Sequence, residues 1–188
     1  MGEDQYPKFY RKNRDGTKEK LILDCTKEAK GRAFFNLGDV EHSPDHNVLA
    51  YSVDYEGSEV FSIYFRDVDT GVHLESQIEG TNGKFKWSED SLSILYVSVD
   101  EAFRPYSVKR YVIGSAPGND MAVFIEKDPG FFVDINKTEN KKYFLIKSFD
   151  HQTSETWTLP GKTGAGNPSL IAKRKVGCEY TVSHHSRK

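Results

Sequence analysis

The chain has 188 residues, of which 37% are hydrophobic, and a formal net charge of −2 at pH 7. This length allows one domain with a buried core and is too short for two large domains. No stretch approaches the roughly 18 apolar residues of a membrane span, and the polar start MGEDQYPKFYRKNRDG does not resemble a secretory leader. We therefore expect a soluble cytoplasmic protein without a membrane partner.

The charge is unevenly distributed along the chain. Residues 1–32 hold 9 Lys/Arg and 6 Asp/Glu, and residues 173–188 hold 5 and 1, so the middle keeps 12 and 21 and carries −9. An acidic middle argues against nucleic-acid binding and suits basic partners, although solvated surface acids are the simpler interpretation.

Two cysteines are present, and their spacing matches no known metal or redox motif. Cys25 and Cys178 are far apart and form neither a CxxC pair nor a Cys/His ligand set. We interpret them as free thiols in a reducing compartment, with a disulfide or a metal role as the less favoured alternative. The sequence predicts no cofactor.

Short apolar runs with two-residue spacing predict β-strands along the whole chain, each bounded by Gly, Pro, Asn, Asp or Ser. Residues 25–35 come nearest to a helix, but Gly31 interrupts them, so at most one helical turn is predicted. The runs are, in order, Leu21 and Leu23; Val48, Ala50 and Ser52; Val60, Ser62 and Tyr64; Leu92, Ile94, Tyr96 and Ser98; Val108, Arg110 and Val112; Phe144 and Ile146; Trp157 and Leu159.

A repeat organises these strands. HSPDHNVLAYSVD (42–54), WSEDSLSILYVSVD (87–100) and NKTENKKYFLIKSFD (136–150) each place Asp or Asn two residues after Ser or Thr, followed by an apolar strand ending in Ser-x-Asp. From Asp45 to Asp90 is 45 residues, and from Asp90 to Asn140 is 50. This period is the length of a four-stranded propeller blade, and Ser-x-Asp is a turn signal between its first two strands.

The predicted fold is therefore all-β, a partial β-propeller of about three four-stranded antiparallel blades with flanking strands of adjacent blades. The predicted blades are residues 38–78, 83–126 and 130–172. Residues 1–37, with strands at 6–12 and 18–24, would end a preceding blade, and residues 173–188, with a strand near 179–185, would open a following one.

The order of motifs resembles the propeller of the prolyl oligopeptidase family of serine peptidases, in particular its oligopeptidase B (protease II) branch. The most specific segments are SPDHNVLAY (43–51) followed by Gly57-Ser58-Glu59, RDVDTG (66–71), RPYSVKRYVIG (104–114) and KTENKKY (137–143). The resemblance covers essentially the whole chain. It implies a cytoplasmic peptidase that cleaves peptides after Arg or Lys, in which the propeller restricts access to an α/β-hydrolase domain.

The resemblance also implies that the catalytic domain is absent from this chain. In this family the triad Ser lies on a G-x-S-x-G elbow, and no Ser here has Gly two residues away on both sides. We expect no catalytic residue, and interpret the chain as a fragment, an isolated domain or a truncated reading frame. The alternatives are a non-enzymatic propeller scaffold, which the missing WD and kelch signatures weaken, and the product of a decayed gene.

Acidic residues at strand ends or turns are the candidate site residues. They would line the central cavity, attract short basic peptides or contact the hydrolase domain, although solvated turn acids are the simpler interpretation. These candidates are Glu41, Asp54, Glu56, Glu59 and Asp100.

Other motifs are discounted. Gly161-Lys162-Thr163 lacks the earlier Gly of a phosphate-binding loop, and Asp67–Gly71 lacks the later ligands of a calcium loop. His184 and His185 would point to opposite faces of a strand, so no metal site is predicted.

The incomplete blade count also predicts self-association. An open arc would leave an apolar face uncovered at each end, and the strands near the start would present unpaired edges. We therefore expect the isolated chain to be oligomeric or prone to aggregation.

Overall fold

The computed structural model describes residues 5–116 and 118–184, and these form thirteen strands and a single helical turn. The alternating apolar runs form strands, as predicted. The elements are β1 (Lys8–Arg11), β2 (Lys20–Asp24), α1 (Cys25–Glu28), β3 (Asn36–His42), β4 (Val48–Asp54), β5 (Phe61–Asp67), β6 (His73–Trp87), β7 (Ser93–Val99), β8 (Pro105–Val112), β9 (Met121–Ile125), β10 (Phe132–Lys137), β11 (Tyr143–Phe149), β12 (Ser154–Pro160) and β13 (Ser169–Ala172).

The strands pair antiparallel with their sequence neighbours, in sheets ordered β1-β2, β3 to β9 and β10 to β13. We call β3, β4, β5 and residues 73–80 of β6 blade 1, and residues 81–87 of β6 with β7, β8 and β9 blade 2. Blade 3 is β10 to β13. The partial propeller of about three four-stranded blades is confirmed.

Strand β6 belongs to two blades because it is the outer strand of one and the first strand of the next. Thr81 pairs with Phe61 of β5 on one side and with Ser98 of β7 on the other. Gly83 permits the passage between the blades, since it has φ 86° and a Cβ there would meet the Phe61 ring at 3.0 Å. The two blades therefore share one continuous hydrogen-bonded sheet.

The sequence repeat forms the same turn three times. Ser43 donates its hydroxyl to Asp45 at 2.5 Å, and Ser88 does so to Asp90 at 2.6 Å. Thr138 donates to Asn140 in the same way at 2.9 Å. The residue after each acceptor has a left-handed backbone: His46 (φ 65°), Ser91 (φ 63°) and Lys141 (φ 59°). We call these the turn repeats, and they connect the first and second strands of each blade.

Two apolar layers lie between the blades. Phe65 of blade 1 stacks on Tyr111 of blade 2 with ring centroids 5.5 Å apart, and both side chains are almost fully buried. Leu95 and Val97 of blade 2 pack with Ile146 of blade 3 in the second layer, where all three have no exposed surface. Apolar burial between neighbouring blades therefore positions them.

The first part of the chain covers the outer face of blade 1. Asp24 caps α1 by accepting from the backbone N–H groups of Thr26 and Lys27, so residues 25–35 contain one helical turn, as predicted. Leu23 and Cys25 have no exposed surface and pack in a third cluster with Leu49, Tyr51 and other residues of blade 1. We call residues 6–35 the N-terminal module. The expectation of an uncovered face at this end was wrong, because the module fills it.

Residues 173–184 do not form the predicted strand near 179–185, and residue 185 lies outside the described residues. The segment instead makes isolated hydrogen bonds to the start of β12. Cys178 O accepts from Ser154 N at 3.1 Å, and the Tyr180 hydroxyl accepts from Thr156 N at 2.7 Å. A strand needs a continuous ladder of backbone partners, and this segment has none among the described residues.

Candidate functional site

Asp54 and Asp100 lie where the second strand of their blade ends. Asp54 accepts backbone N–H bonds from Glu56, Gly57 and Glu59 at 2.8 to 2.9 Å. Asp100 accepts from the backbone N–H groups of Ala102 and Arg104 and pairs with the Arg104 guanidinium at 2.9 Å. Both carboxylates therefore hold the loop that leads into the third strand.

The electrostatic setting keeps both groups ionised near neutral pH. Burial raises the pKa of Asp54, but hydrogen bonds from the Glu56, Glu59 and Gly57 backbone outweigh it and leave the pKa below its usual value. The backbone N–H of Arg104 is the main cause that lowers the pKa of Asp100. Two of the five candidates are thus charged loop anchors.

Glu56 and Glu59 are exposed on the same loop, and Glu59 has a left-handed backbone with φ 62°. Because β4, β7 and β11 are the second strands of their blades, the loops after them lie at the same edge of the arc. We call this the acidic edge, and it comprises Asp54, Glu56, Glu59, Asp100, Glu101 and Asp150.

Glu41 lies apart from the other four candidates, on the first strand of blade 1. The Lys86 ammonium group lies 3.5 Å from carboxylate oxygens of both Asp39 and Glu41. On the same strand as Lys86, Lys84 pairs with Asp134 of blade 3 at 2.8 Å. The first strands of three neighbouring blades are therefore joined by alternating charges, which we call the inner charge ladder.

A cleft of about 390 Å³ opens beside this ladder, towards the turn repeats. Its lining combines Glu41 and Lys86 with Glu89 and Lys137, and Lys137 donates to Glu89 and to Trp87 O. The cleft is polar and holds both signs of charge.

A buried ionic cluster was missed by sequence reasoning. Arg174 donates to Glu126 at 2.5 Å and to Glu155 at 2.7 Å, and its guanidinium lies 4.0 Å from the centroid of the Phe131 ring. Ser148 also donates to Glu126. Burial raises the pKa of both glutamates, but hydrogen bonds outweigh it and leave each pKa lower than usual. These bonds come from Ser148, the Asp128 backbone and Arg174 for Glu126, and mainly from Arg174 for Glu155. Only Ser148, in the repeated Ser-x-Asp, gave a sequence signal.

The discounted motifs have other roles. The carbonyl groups of Gly161 and Lys162 accept from the backbone of the second turn repeat, so the loop offers oxygens rather than a phosphate cradle. The His184 ring lies against the Tyr143 ring, and its Nδ1 is 2.6 Å from the side-chain amide of Asn140.

Within residues 5–116 and 118–184, no group of three His, Cys, Asp or Glu is arranged to hold a metal. No helix in these residues is long and apolar enough to cross a membrane.

Four-stranded antiparallel blades that follow one another along the chain and pack face to face are the repeating units of a β-propeller. The family model for the prolyl oligopeptidase N-terminal beta-propeller domain matches residues 1–188. The chain belongs to this family.

Individual relatives support the same assignment. The chain is 29% identical to Protease 2 of Moraxella lacunata over 96% of its length and 27% of that protein. Oligopeptidase B of Leishmania major superposes with a TM-score of 0.87 at 29% identity, over 94% of this chain and 25% of that one. Oligopeptidase B of Trypanosoma brucei, in a closed form with covalently bound antipain, gives 0.82 at 32% identity, over 93% and 24%. The chain thus spans about a quarter of these relatives.

Proposed function

We propose that this chain acts as the propeller of an oligopeptidase B-like serine endopeptidase in the cytoplasm, where it controls the access of peptides to a catalytic α/β-hydrolase domain. The parent enzyme would cleave short peptides after Arg or Lys. In this proposal residues 38–78, 83–126 and 130–172 act as blades, and the chain itself supplies no catalytic residue.

The acidic edge is the main support for the proposal that the parent enzyme favours basic peptides. Asp54 is held in ionised form by backbone hydrogen bonds, and the charge of Asp100 is offset by its pair with Arg104. The exposed Glu56, Glu59 and Glu101 therefore supply most of the net negative charge on these loops. An excess of charge of one sign on a surface raises the local concentration of an oppositely charged ligand. A peptide with Arg or Lys would therefore approach this edge faster than an acidic one.

The inner charge ladder supports a passage for peptides along the first strands. Its Asp39, Glu41, Lys84, Lys86 and Asp134 leave polar groups beside the propeller axis rather than apolar ones. Polar walls solvate an extended peptide backbone without holding apolar side chains tightly. The ladder suits transit rather than stable binding.

A peptide-binding experiment tests the acidic edge. A fluorescent peptide containing Arg and Lys is titrated with the chain at low salt, and a matched peptide carries Glu at those positions. We expect the basic peptide to bind more tightly, and the variant Glu56→Gln/Glu101→Gln to weaken it by about two- to five-fold, as two exposed ion pairs would. Added salt should remove the difference.

The matched control is Glu19→Gln/Glu75→Gln, which removes two exposed carboxylates elsewhere on the surface. Equal weakening by both double variants would show that only net charge matters and would contradict a role for the acidic edge. Tighter binding of the acidic peptide would contradict the proposal outright.

An activity measurement tests the absence of catalysis. We expect the purified chain to hydrolyse an arginyl or lysyl fluorogenic peptide no faster than buffer does. Hydrolysis that a serine-directed inhibitor abolishes would show that a nucleophile is present in the chain.

A further inference from the structure

A basic cleft of about 560 Å³ lies between the β1–β2 hairpin and the first turn repeat. The hairpin contributes Arg11, Lys12 and Arg14, and the turn repeat contributes His42 and His46. No acidic side chain lines the cleft. Its size is within the range of small-molecule sites, and its charge has one sign.

Carboxylates near this cleft are already engaged elsewhere. Asp45 accepts from Ser43 and Asn47 inside the turn repeat. Asp15 accepts from the Thr17 backbone and hydroxyl at 2.8 and 2.6 Å. Both carboxylates keep their negative charge, but they are held in their own turns and neither lines the cleft. Among the described residues, Lys12 and Arg14 have no carboxylate partner within salt-bridge distance.

Three of the side chains that line the cleft make contacts with one another or with the turn repeat. Arg11 donates through Nη1 to His46 O at 3.1 Å, which ties the hairpin to the turn repeat. His42 Nδ1 lies 2.8 Å from Ser43 O, and because a carbonyl oxygen only accepts, this nitrogen carries the proton. The His42 and His46 rings lie 4.3 Å apart, centroid to centroid. Arg11, His42 and His46 are therefore positioned before a ligand arrives, whereas the exposed Lys12 and Arg14 are free to turn towards it.

We propose that this cleft binds a phosphate-bearing anion. A phosphate carries up to two negative charges on oxygens that point in several directions, so guanidinium and imidazole N–H groups contact it together. A single carboxylate offers two oxygens in one plane and would leave part of this positive charge uncompensated. Arg11, Arg14 and Lys12 supply the charge, and the two imidazoles supply further donors once they are protonated.

His46 provides a direct readout of an occupied cleft. Burial lowers its pKa first, and the positive charges of His42, Arg11 and Lys141 lower it further, while Asp45 acts in the opposite direction. A bound phosphate would add negative charge beside the ring and raise this pKa. The NMR titration of His46 therefore reports binding at the cleft itself.

The experiment titrates the full chain with inorganic phosphate and with pyrophosphate, at constant ionic strength set by chloride, and follows the His42 and His46 resonances by NMR. We expect saturable shifts and a higher His46 pKa with either ligand. A tetraglutamate peptide forms the comparison arm, because carboxylates are the other source of negative oxygens. Shifts caused by the peptide alone, with none from phosphate, would overturn the proposal in favour of peptide docking.

Charge variants separate a specific site from general attraction. Arg14→Gln should weaken phosphate binding about ten-fold, as the loss of one charge-assisted hydrogen bond does. The control Lys30→Gln removes one exposed cation of the N-terminal module outside the cleft and should leave binding unchanged. Far-UV circular dichroism verifies that both variants are folded. Equal weakening by both variants, or no response of His46 to phosphate, would overturn the proposal.

Discussion

The two ends of the arc are built differently. At the first end, the N-terminal module buries Leu23 and Cys25 completely against blade 1. Polar contacts reinforce the packing, since Glu28 of α1 lies 3.6 Å from Arg66 and accepts from the Tyr51 hydroxyl at 3.4 Å. The outer face of blade 1 is therefore an internal surface of the molecule.

At the other end, blade 3 is covered only in part. Tyr143 is 38% exposed and Ile171 is 47% exposed on its outer face. Residues 176–184 cross this face through single contacts, including a 3.8 Å pair between Lys147 and Glu179. The outer face of blade 3 therefore remains partly accessible to solvent.

The residues at one equivalent position of blades 2 and 3 show how this difference arises. Val97 lies seven residues after Asp90 and is completely buried between blades 2 and 3, whereas Lys147 lies seven residues after Asn140 on the outer face of blade 3. A lysine can keep its ammonium group in water while its stem covers apolar surface. An apolar residue such as Val97 thus suits a face that packs against another blade, whereas Lys147 makes the outer face of blade 3 compatible with water.

Truncation of Leu23 should have the largest effect on stability. Leu23→Ala removes a fully buried side chain and leaves a cavity, so we expect a loss of about 2–5 kcal/mol in the free energy of unfolding. Ile171→Ala at the other end removes a half-exposed side chain and should cost less than about 1 kcal/mol. Urea unfolding followed by tryptophan fluorescence measures both.

Leu21→Ala is the matched control on the same strand as Leu23, because Leu21 is 37% exposed. Its loss in the free energy of unfolding should be as small as that of Ile171→Ala. Similar losses for Leu23→Ala and Ile171→Ala would show that the two ends are equally closed.

Loss of Arg174 should have the next largest effect. Arg174→Gln leaves Glu126 and Glu155, each 6% exposed, without their shared cation. We expect a loss of about 2–3 kcal/mol, somewhat below that of a fully buried pair because Arg174 itself is partly exposed. Lys175→Gln is the control, since its side chain is exposed on the adjacent residue. An unchanged urea midpoint for Arg174→Gln would show that the cluster does not anchor this segment.

The same cluster predicts a pH dependence of stability. The pKa values of Glu126 and Glu155 are lowered in the folded state. Their contribution is therefore complete above the unfolded-state pKa, near 4.5, and is lost as pH falls through the lower folded pKa. Urea midpoints from pH 7 to pH 3 should fall more steeply for the wild type than for Arg174→Gln. Parallel pH profiles would contradict this assignment.

A more apolar face on blade 3 should increase self-association, with the smallest energetic effect. Lys147→Val restores the residue type of Val97 and should add about 1 kcal/mol of contact per copy. Size-exclusion chromatography with light scattering should show more oligomer than for the wild type at equal concentration. Lys142→Val, on an exposed turn, is the control. An unchanged or smaller oligomer fraction for Lys147→Val would show that this face does not drive association.

Local features of the fold could be predicted from the sequence. The turn repeats depend on residues within six positions, such as Ser43, Asp45 and His46, so their side-chain hydrogen bonds and left-handed backbone follow from the motif itself. Asp54 and Asp100 were also correctly placed at strand ends, for the same local reason. Their proposed role in attracting basic peptides stays a prediction.

Long-range features could not be predicted in this way. Leu23 has the spacing of any strand residue, and nothing near it indicates that it covers blade 1. Arg174 is 48 residues from Glu126 and 19 from Glu155, so no local pattern joins them. The separation of Glu41 from the acidic edge likewise depends on how three first strands lie side by side.

The shared strand β6 has a consequence for how the molecule responds to mechanical or thermal stress. Because Thr81 of β6 pairs with Phe61 of β5 and with Ser98 of β7, separating blade 1 from blade 2 would break backbone pairing at this residue as well as the apolar layer between the blades. Blade 3 is connected to blade 2 through residues 126–131, which form no strand. Fraying should therefore begin at this joint, with the first two blades released together as one cooperative unit.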